Sequence, residues 1–263
     1  MKDFKNKVVW ITGASSGIGE ALVYEFDKEG AILVLSARRK EELERVQKNL
    51  KNAESFILPL DLDKTESIKP AAEEILAKYG KVDVLVNNGG ISQRSLAKET
   101  NIEVDKKIMN INFIGQVAAT KAVLPSMIKN KSGHIIVTSS LVGKFGTPLR
   151  STYSASKHAL HGFFDSLRAE VFDDNIEVTI VCPGFIRTQV SVNALTGDGS
   201  KQNKMDETTG AGMSAEECAK QIVKAVKKGK FEVAIGGKET FGILLKRLLP
   251  TTFANFIRKA KVT

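Results

Sequence analysis

Cysteine, histidine, tryptophan and proline are scarce: the 263 residues hold two, three, one and six of them. Cys182 and Cys218 stand far apart in unlike surroundings, which excludes a disulfide framework and a cysteine-built metal cluster, and Cys182 reads as a core thiol. His158 and His161 are three apart, and no Cys, Asp or Glu completes a ligand spacing around them. No metal is expected, and both read as helix-packing or surface residues. A serine hydrolase is not expected either. No uninterrupted apolar run reaches the roughly 18 residues that a membrane-spanning helix needs. The opening MKDFKNKVVWITG passes from charged residues straight into a short apolar strand, without the apolar stretch and cleavage site of a secretion signal. The expected address is therefore cytoplasmic.

Positive charge is abundant: 39 Lys and Arg against 30 Asp and Glu, a net charge of +9. Residues 238–263 carry Lys238, Lys246, Arg247, Arg258, Lys259 and Lys261 against Glu239 alone, so more than half of the surplus lies in the tail. The remainder is spread over mixed-charge helix faces such as 38–51, the pattern of a solvated surface, and no nucleic-acid partner is expected. Hydrophobic residues at 42% and charged residues at 26% match an ordinary globular protein. The length approaches the limit of one hydrophobic core, so residues 1–263 are read as a single domain.

Short β-branched runs alternate with amphipathic stretches of helical length, the pattern of a parallel sheet covered on both faces. Strands are expected at 8–11, 32–36, 55–58, 82–86, 134–138, 178–181 and 231–235, and helices near 17–29, 41–49, 67–79, 104–129, 152–172 and 215–227. The fold class is α/β, a Rossmann-type doubly wound parallel sheet of about seven strands. Two segments break the alternation. Residues 187–214 are polar and too long for a routine connection, which points to a mobile lid or substrate loop. After Gly237, FGILLKRLLPTTFANFIRKA mixes apolar and basic positions and is interrupted by Pro250, as two short amphipathic helices would be.

The first strand runs into Thr12-Gly13-Ala14-Ser15-Ser16-Gly17-Ile18-Gly19 and then a helix. Glycines here let backbone amides and the positive end of the helix approach a pyrophosphate, a role for Gly13, Gly17 and Gly19. At the end of the second strand a carboxylate would hold the two ribose hydroxyls of NAD, whereas a cation would hold the extra phosphate of NADP. The sequence reads Ser36-Ala37-Arg38-Arg39, with no acid. Arg38 offers a permanently charged planar fork, so NADP(H) is favoured over NAD(H); the alternative is two arginines starting a solvated helix. Tyr153 and Lys157, at i and i+4, share a helix face, and an ammonium near a phenol favours the phenolate. Taken alone this pair also fits a plain amphipathic helix.

The T-G-x-x-x-G-x-G spacing resembles the short-chain dehydrogenase/reductase family, and Asn88-Gly89-Gly90-Ile91-Ser92-Gln93-Arg94 with the sequence around Ser36 to Arg39 resembles its dehydrogenase/reductase members related to hydroxysteroid dehydrogenases. The likeness continues through Asn87-Asn88-Gly89-Gly90, Asn112-Phe113-Ile114-Gly115, Ser139-Ser140, Tyr153-Ser154-Ala155-Ser156-Lys157 and Pro183-Gly184-Phe185-Ile186-Arg187-Thr188. It implies an oxidoreductase moving hydride between nicotinamide and a carbonyl or alcohol. Tyr153 would be the acid/base, Ser140 would bond the substrate oxygen, Lys157 would also hold the nicotinamide ribose, and Asn112 would position a water leading from Lys157 to solvent. Around the cofactor it implies Ser15, Ser16, Ile18, Arg39, Leu62, Asn88, Gly89, Pro183, Gly184 and Ile186, with Thr188 at the nicotinamide amide. Asn87 would steady the sheet edge beside the adenosine half, and Asp61 would bracket the adenine while Asp63 caps the following helix. The family usually has alanine at the position of Gly89.

Leu141, Val142, Phe145, Leu149, Phe185 and Val190 flank these positions and point to an apolar pocket for a bulky carbonyl compound, as in a carbonyl reductase. The resemblance further implies a homo-dimer or homo-tetramer built on the helices near 104–129 and 152–172. Two other readings stand beside the enzyme: a non-catalytic NADPH-binding regulator, which would have no need of Ser140, Tyr153 and Lys157, and a membrane-surface protein acting through its basic tail. Packing of the tail on the body or a second subunit is preferred to peripheral membrane contact.

Overall fold

The computed structural model describes residues 3–52 and 54–260. Strands β1 (Val8–Thr12), β2 (Ile32–Ser36), β3 (Ser55–Ile57), β4 (Val84–Asn87), β5 (Gly133–Thr138), β6 (Ile176–Pro183) and β9 (Glu232–Ile235) form one sheet. Its order is β3-β2-β1-β4-β5-β6-β9, and every neighbouring pair is parallel. A two-stranded parallel ribbon, β7 (Ile186–Arg187) with β8 (Met213–Ser214), lies apart from it.

The strands are continuously apolar because both faces are covered. In β1, Val8 and Trp10 enter one core, whereas Val9 and Ile11 enter the other. The second core is closed by α1 (Gly17–Lys28), α2 (Lys40–Lys48) and α8 (Ala215–Lys227), through residues such as Leu22, Phe26, Leu43 and Ile222. Their spacing of three and four puts them on one side of each helix. The first core lies under α3 (Ile68–Tyr79), α5 (Gly115–Lys129) and α6 (Ser151–Glu170). Cys182 and Cys218 are fully buried, one in each core, and burial pushes both thiols up to about 12.

The helix expected over 104–129 is divided. α4 (Ile102–Met109) passes into a π-helical turn, Asn110–Ile114, before α5 begins. The wider turn aims Asn112 at the chain after β4: its Oδ1 accepts from the Ile91 amide at 2.8 Å, and its Nδ2 donates to the Ile91 carbonyl at 2.9 Å. Periodicity over a whole segment cannot register a single inserted residue, and such turns cluster at functional sites. Asp63 does not cap α3. Its own amide donates to Asp61 Oδ1 at 3.1 Å, and the helix starts only after Ser67.

The 187–214 segment is folded into turns of its own, with one helical turn, α7 (Glu207–Gly210). Asp206 fastens it to the body. Its carboxylate accepts from Arg94 Nε at 2.9 Å and from Arg94 Nη2, Arg150 stands 3.5 Å away, and all three side chains are less than a tenth exposed. Burial would push Asp206 up, but the Arg94 hydrogen bonds, Gln202 and both guanidinium charges outweigh it and hold the carboxyl below its usual range. In the tail, α9 (Phe241–Leu248) and α10 (Pro250–Ile257) lay Ile243, Leu245, Phe253 and Ile257 on the first core, with Phe253 edge-on to Phe145 at 5.1 Å. Among the described residues no helix is long and apolar enough to cross a membrane.

Replacing Asp206 by alanine leaves two buried guanidinium groups facing each other. Removal of one partner from a buried ionic group costs about 3 kcal/mol, so Asp206→Ala should lower the unfolding free energy measured by urea titration by that amount or release 187–214 to proteolysis. A parent-like midpoint with unchanged protease resistance would exclude the tether.

Candidate active site

The chain reverses direction across the sheet between β1 and β4, and the crevice that a parallel sheet opens at such a point lies at the carboxyl ends of these strands. A cleft of about 540 Å³ occupies it. Every residue named above for catalysis or cofactor binding lines that cleft except Gly19, Asn87 and Asn112.

Its floor is the turn after β1. Gly13 has φ +67°, and a Cβ there would lie 2.8 Å from the Gly89 Cα, so the two backbones touch. Gly17 has φ +58°, and a Cβ would meet the Thr188 methyl at 3.1 Å, so this turn and the segment after β6 close on each other. Gly19 faces inward instead. A Cβ would stand 2.1 Å from the Gly13 carbonyl, so its task is to seat α1 on the turn. Ser16 precedes α1 without a side-chain cap, leaving first-turn amides of the helix directed at the cleft. A backbone cradle with no room for side chains, next to a helix N-terminus, fits a pyrophosphate.

Thr12, which sequence reading passed over, organises the turn. Its hydroxyl donates to the Val86 carbonyl at 3.1 Å and accepts from the amides of Asn88 and Gly89 at 3.1 and 3.2 Å. The Asn88 amide group reaches the Thr12 and Gly13 carbonyls at 3.2 and 3.4 Å. At Gly89 an added Cβ would press on the end of Leu62 at 2.6 Å, so glycine stands here beside a leucine that fills an alanine's space. Asn87 departs from expectation: it lies on a central strand, not a sheet edge, and is fully buried with its amide on Thr120 Oγ1 at 2.8 Å. Arg38 and Arg39 are exposed at the far end of the cleft, and neither has an ion-pair or hydrogen-bond partner among the described residues. Arg45 nearby is held by Glu20 at 2.7 Å and Glu42 at 2.9 Å. The exposed pair therefore remains for an anion.

At the other end, α6 carries Tyr153 and Lys157 into the cleft one turn apart. Lys157 is 3% exposed; its Nζ donates to the Thr138 carbonyl at 2.7 Å and stands 5.8 Å from the Tyr153 ring centroid. Burial lowers its ammonium to about 8. Burial also raises the Tyr153 phenol; the Arg150 charge, the Ser140 hydroxyl and the Arg94 charge act against it without cancelling it. Desolvation dominates here, and the charges that oppose it are those of Arg150 and Arg94, two residues that no local spacing reveals. Ser140 follows β5, its hydroxyl 3.3 Å from the Pro183 carbonyl. Asn112 sits behind this group, fully buried. It joins Ile91 to α6 through Ser156 Oγ at 3.1 Å, and a Cβ on Gly90 would lie 3.1 Å from its Oδ1 and 3.7 Å from Lys157 Nζ.

The apolar wall also differs from expectation. Leu141, Val142 and Phe145 are in the first core and Leu149 is off the cleft; Phe185 and Val190 do line it, with Ile91, Ile111 and Leu195. Ser139 Oγ donates to the Lys157 carbonyl at 3.1 Å and lies 3.1 Å from His161 Nε2. Cys182 and Glu232 gather beside His161, their ligand atoms within 4.8 Å of one another. Cys182 approaches Nε2 at 3.6 Å and Glu232 approaches Nδ1 at 3.4 Å, on opposite edges of the ring, and Glu232 is paired with Lys144. Cys182 on β6 is thus hydrogen-bonded to His161 on α6, and Glu232 on β9 stands beside the same ring at ion-pair distance. The letters Gly13-Ala14-Ser15-Ser16-Gly17 also spell a hydrolase elbow, G-x-S-x-G. The three histidines make hydrogen bonds to Thr179, to the Ser154 carbonyl and to Ser139, and among the described residues no hydrogen bond joins a histidine to Ser15.

Residues 7–198 match the family model described as short chain dehydrogenase. The Drosophila melanogaster protein "Dehydrogenase/reductase SDR family protein 7-like" is 46% identical over 263 aligned residues, 97% of this chain and 81% of that one. An alcohol dehydrogenase from Thermococcus sibiricus, solved with 5-hydroxy-NADP, superposes with a TM-score of 0.76 at 26% identity, over 89% of this chain and 97% of that one. A short chain dehydrogenase/reductase from Burkholderia phymatum in complex with NAD shares the fold, with a TM-score of 0.83 at 22% identity over 100% and 99% of the two chains. Sheet order, glycine cradle and the Ser140, Tyr153 and Lys157 group agree with these matches: this chain belongs to the short-chain dehydrogenase/reductase family, oxidoreductases that act on CH–OH groups with NAD(P).

Proposed function

We propose that this enzyme is an NADP(H)-dependent carbonyl reductase for a bulky apolar substrate, with Tyr153 as its proton donor. The observation that carries the reading is the convergence of Ser140, Tyr153 and Lys157 at one end of a cleft whose other end presents the unpaired Arg38 and Arg39. Nicotinamide, when bound, supplies or takes up the hydride. The remaining work falls to the chain. Gly13, Gly17 and the start of α1 hold the pyrophosphate by backbone amides, and Ser15, Ser16, Ile18, Asp61, Leu62, Asn88 and Gly89 shape the surrounding wall. Arg38 and Arg39 carry the charge for a ribose phosphate, while Pro183, Gly184, Ile186 and Thr188 border the nicotinamide end. Family proteins take either NADP or NAD, so the preference rests on these arginines and on the lack of an acid at the end of β2.

In reduction the Ser140 hydroxyl donates to the carbonyl oxygen, and Tyr153 transfers its phenolic proton to that oxygen as negative charge grows. The raised phenol suits this direction, since it is protonated at neutral pH. Lys157 keeps a positive charge beside the resulting phenolate, with Arg150 and Arg94 adding to it. Asn112 acts as a positioning residue, fixing Ile91 and α6. Phe185, Val190, Ile91 and Leu195 supply apolar surface for the substrate.

A Tyr153→Phe variant should fold and bind NADPH with parent affinity but lose at least about 100-fold in kcat across a panel of aldehydes, steroid ketones and retinoids; parent-like turnover on the best substrate would overturn the assignment. Removing both arginines with Arg38→Ala and Arg39→Ala should lower kcat/KM for NADPH about 10- to 100-fold, the worth of a charge-assisted hydrogen bond or two, and leave NADH nearly unchanged. Equal losses with both cofactors would refute phosphate recognition there. Because the Lys157 ammonium lies near 8, below its ordinary 10.5, it is charged below that pH and neutral above it. The kcat for reduction should therefore decline as pH rises through about 8, and a flat profile to high pH would remove Lys157 from the charge balance.

A further inference from the structure

The C-terminal helices hold the first core with one side and leave the other uncovered. On α9, Phe241, Leu244 and Leu248 recur at intervals of three and four, so they form one stripe, and each is about half or more exposed. Leu249 and Phe256 extend it, at 53% and 58% exposure. Lys238, Arg247, Arg258 and Lys259, in the same segment, are exposed as well. The one carboxylate of the described tail, Glu239, is turned to the body, where it accepts from the amides of Gly237 at 3.0 Å and Phe185 at 3.3 Å. The outer face thus combines large apolar side chains with cations and no outward acid.

We propose that this face docks the enzyme on an anionic lipid bilayer. A bilayer surface supplies both things the face lacks: an apolar layer for Phe241, Leu244, Leu248, Leu249 and Phe256, and acidic headgroups for the cations at its rim. A second copy of the chain does not. A two-fold contact through this patch would set Arg247, Arg258 and Lys259 against a like-charged set, with no carboxylate of the tail to separate them. The net charge of +9 draws the whole molecule to the same surface. The docked segment adjoins the catalytic cleft. Glu239 holds the amide of Phe185, which lines the cleft, and Lys246 Nζ donates to the Lys144 carbonyl at 3.1 Å, in the chain that follows Ser140.

The test is flotation of the full chain with phosphatidylcholine vesicles, with and without phosphatidylserine, at low and high salt. Binding should require phosphatidylserine and weaken with salt. The variant Arg247→Glu, Arg258→Glu, Lys259→Glu changes exposed residues only, and should keep parent turnover and thermal midpoint while partitioning about 100-fold more weakly, three basic side chains contributing a factor of about five each. Leu248→Ser with Leu249→Ser and Phe256→Ser should abolish flotation. Absence of parent binding to phosphatidylserine vesicles, or undiminished binding of the charge-reversed variant, overturns the proposal. So does a smaller sedimentation coefficient of that variant without lipid, which would make the face a subunit contact.

Discussion

The site depends on one close approach, between the turn after β1 and the chain leaving β4. Gly13 and Gly89 meet backbone to backbone because neither carries a side chain, and Thr12 and Asn88 lock the contact with hydrogen bonds. Because β1 and β4 are the strands at which the winding reverses, the same contact sets the depth of the cleft and places the cradle of amides at its floor. A methyl group at Gly13 or Gly19 would part the strands' ends and shift everything above them.

The catalytic end is organised by burial. Lys157 is drawn into the protein as far as the Thr138 carbonyl, and the loss of water that lowers its ammonium also raises the Tyr153 phenol. Both groups are moved toward neutrality. Arg150 and Arg94 are part of that balance, and they are held beside the phenol by Asp206 from the 187–214 segment. The 187–214 segment is therefore coupled through Asp206 to the charges that act on Tyr153.

Residues at short, regular spacing were readable directly. The glycine turn, the Tyr153 and Lys157 pair, the seven apolar runs and the helix over 215–227 all arise from interactions within a few residues, and the chain order of strands and helices restricts the topology to very few choices. Partners remote in sequence were not readable. Asn112 owes its place to Ile91 and Ser156, Asn87 to Thr120, and Asp206 to Arg94, with separations of 21 to 112 residues. Leu141, Val142 and Phe145 are near Ser140 in sequence yet point into the core, because a turn after a strand sends consecutive side chains in different directions.

Sequence alone determined the doubly wound sheet and the glycine turn that lines its crevice, and it put Tyr153 and Lys157 on one helix face, since these rest on backbone geometry, periodicity and the spacing of nearby residues. Only the tertiary structure decided how the pair is charged, which side chains wall the substrate space and which face of the tail is left bare. Those properties belong to desolvation and to long-range contacts, and both exist only once distant parts of the chain have packed together.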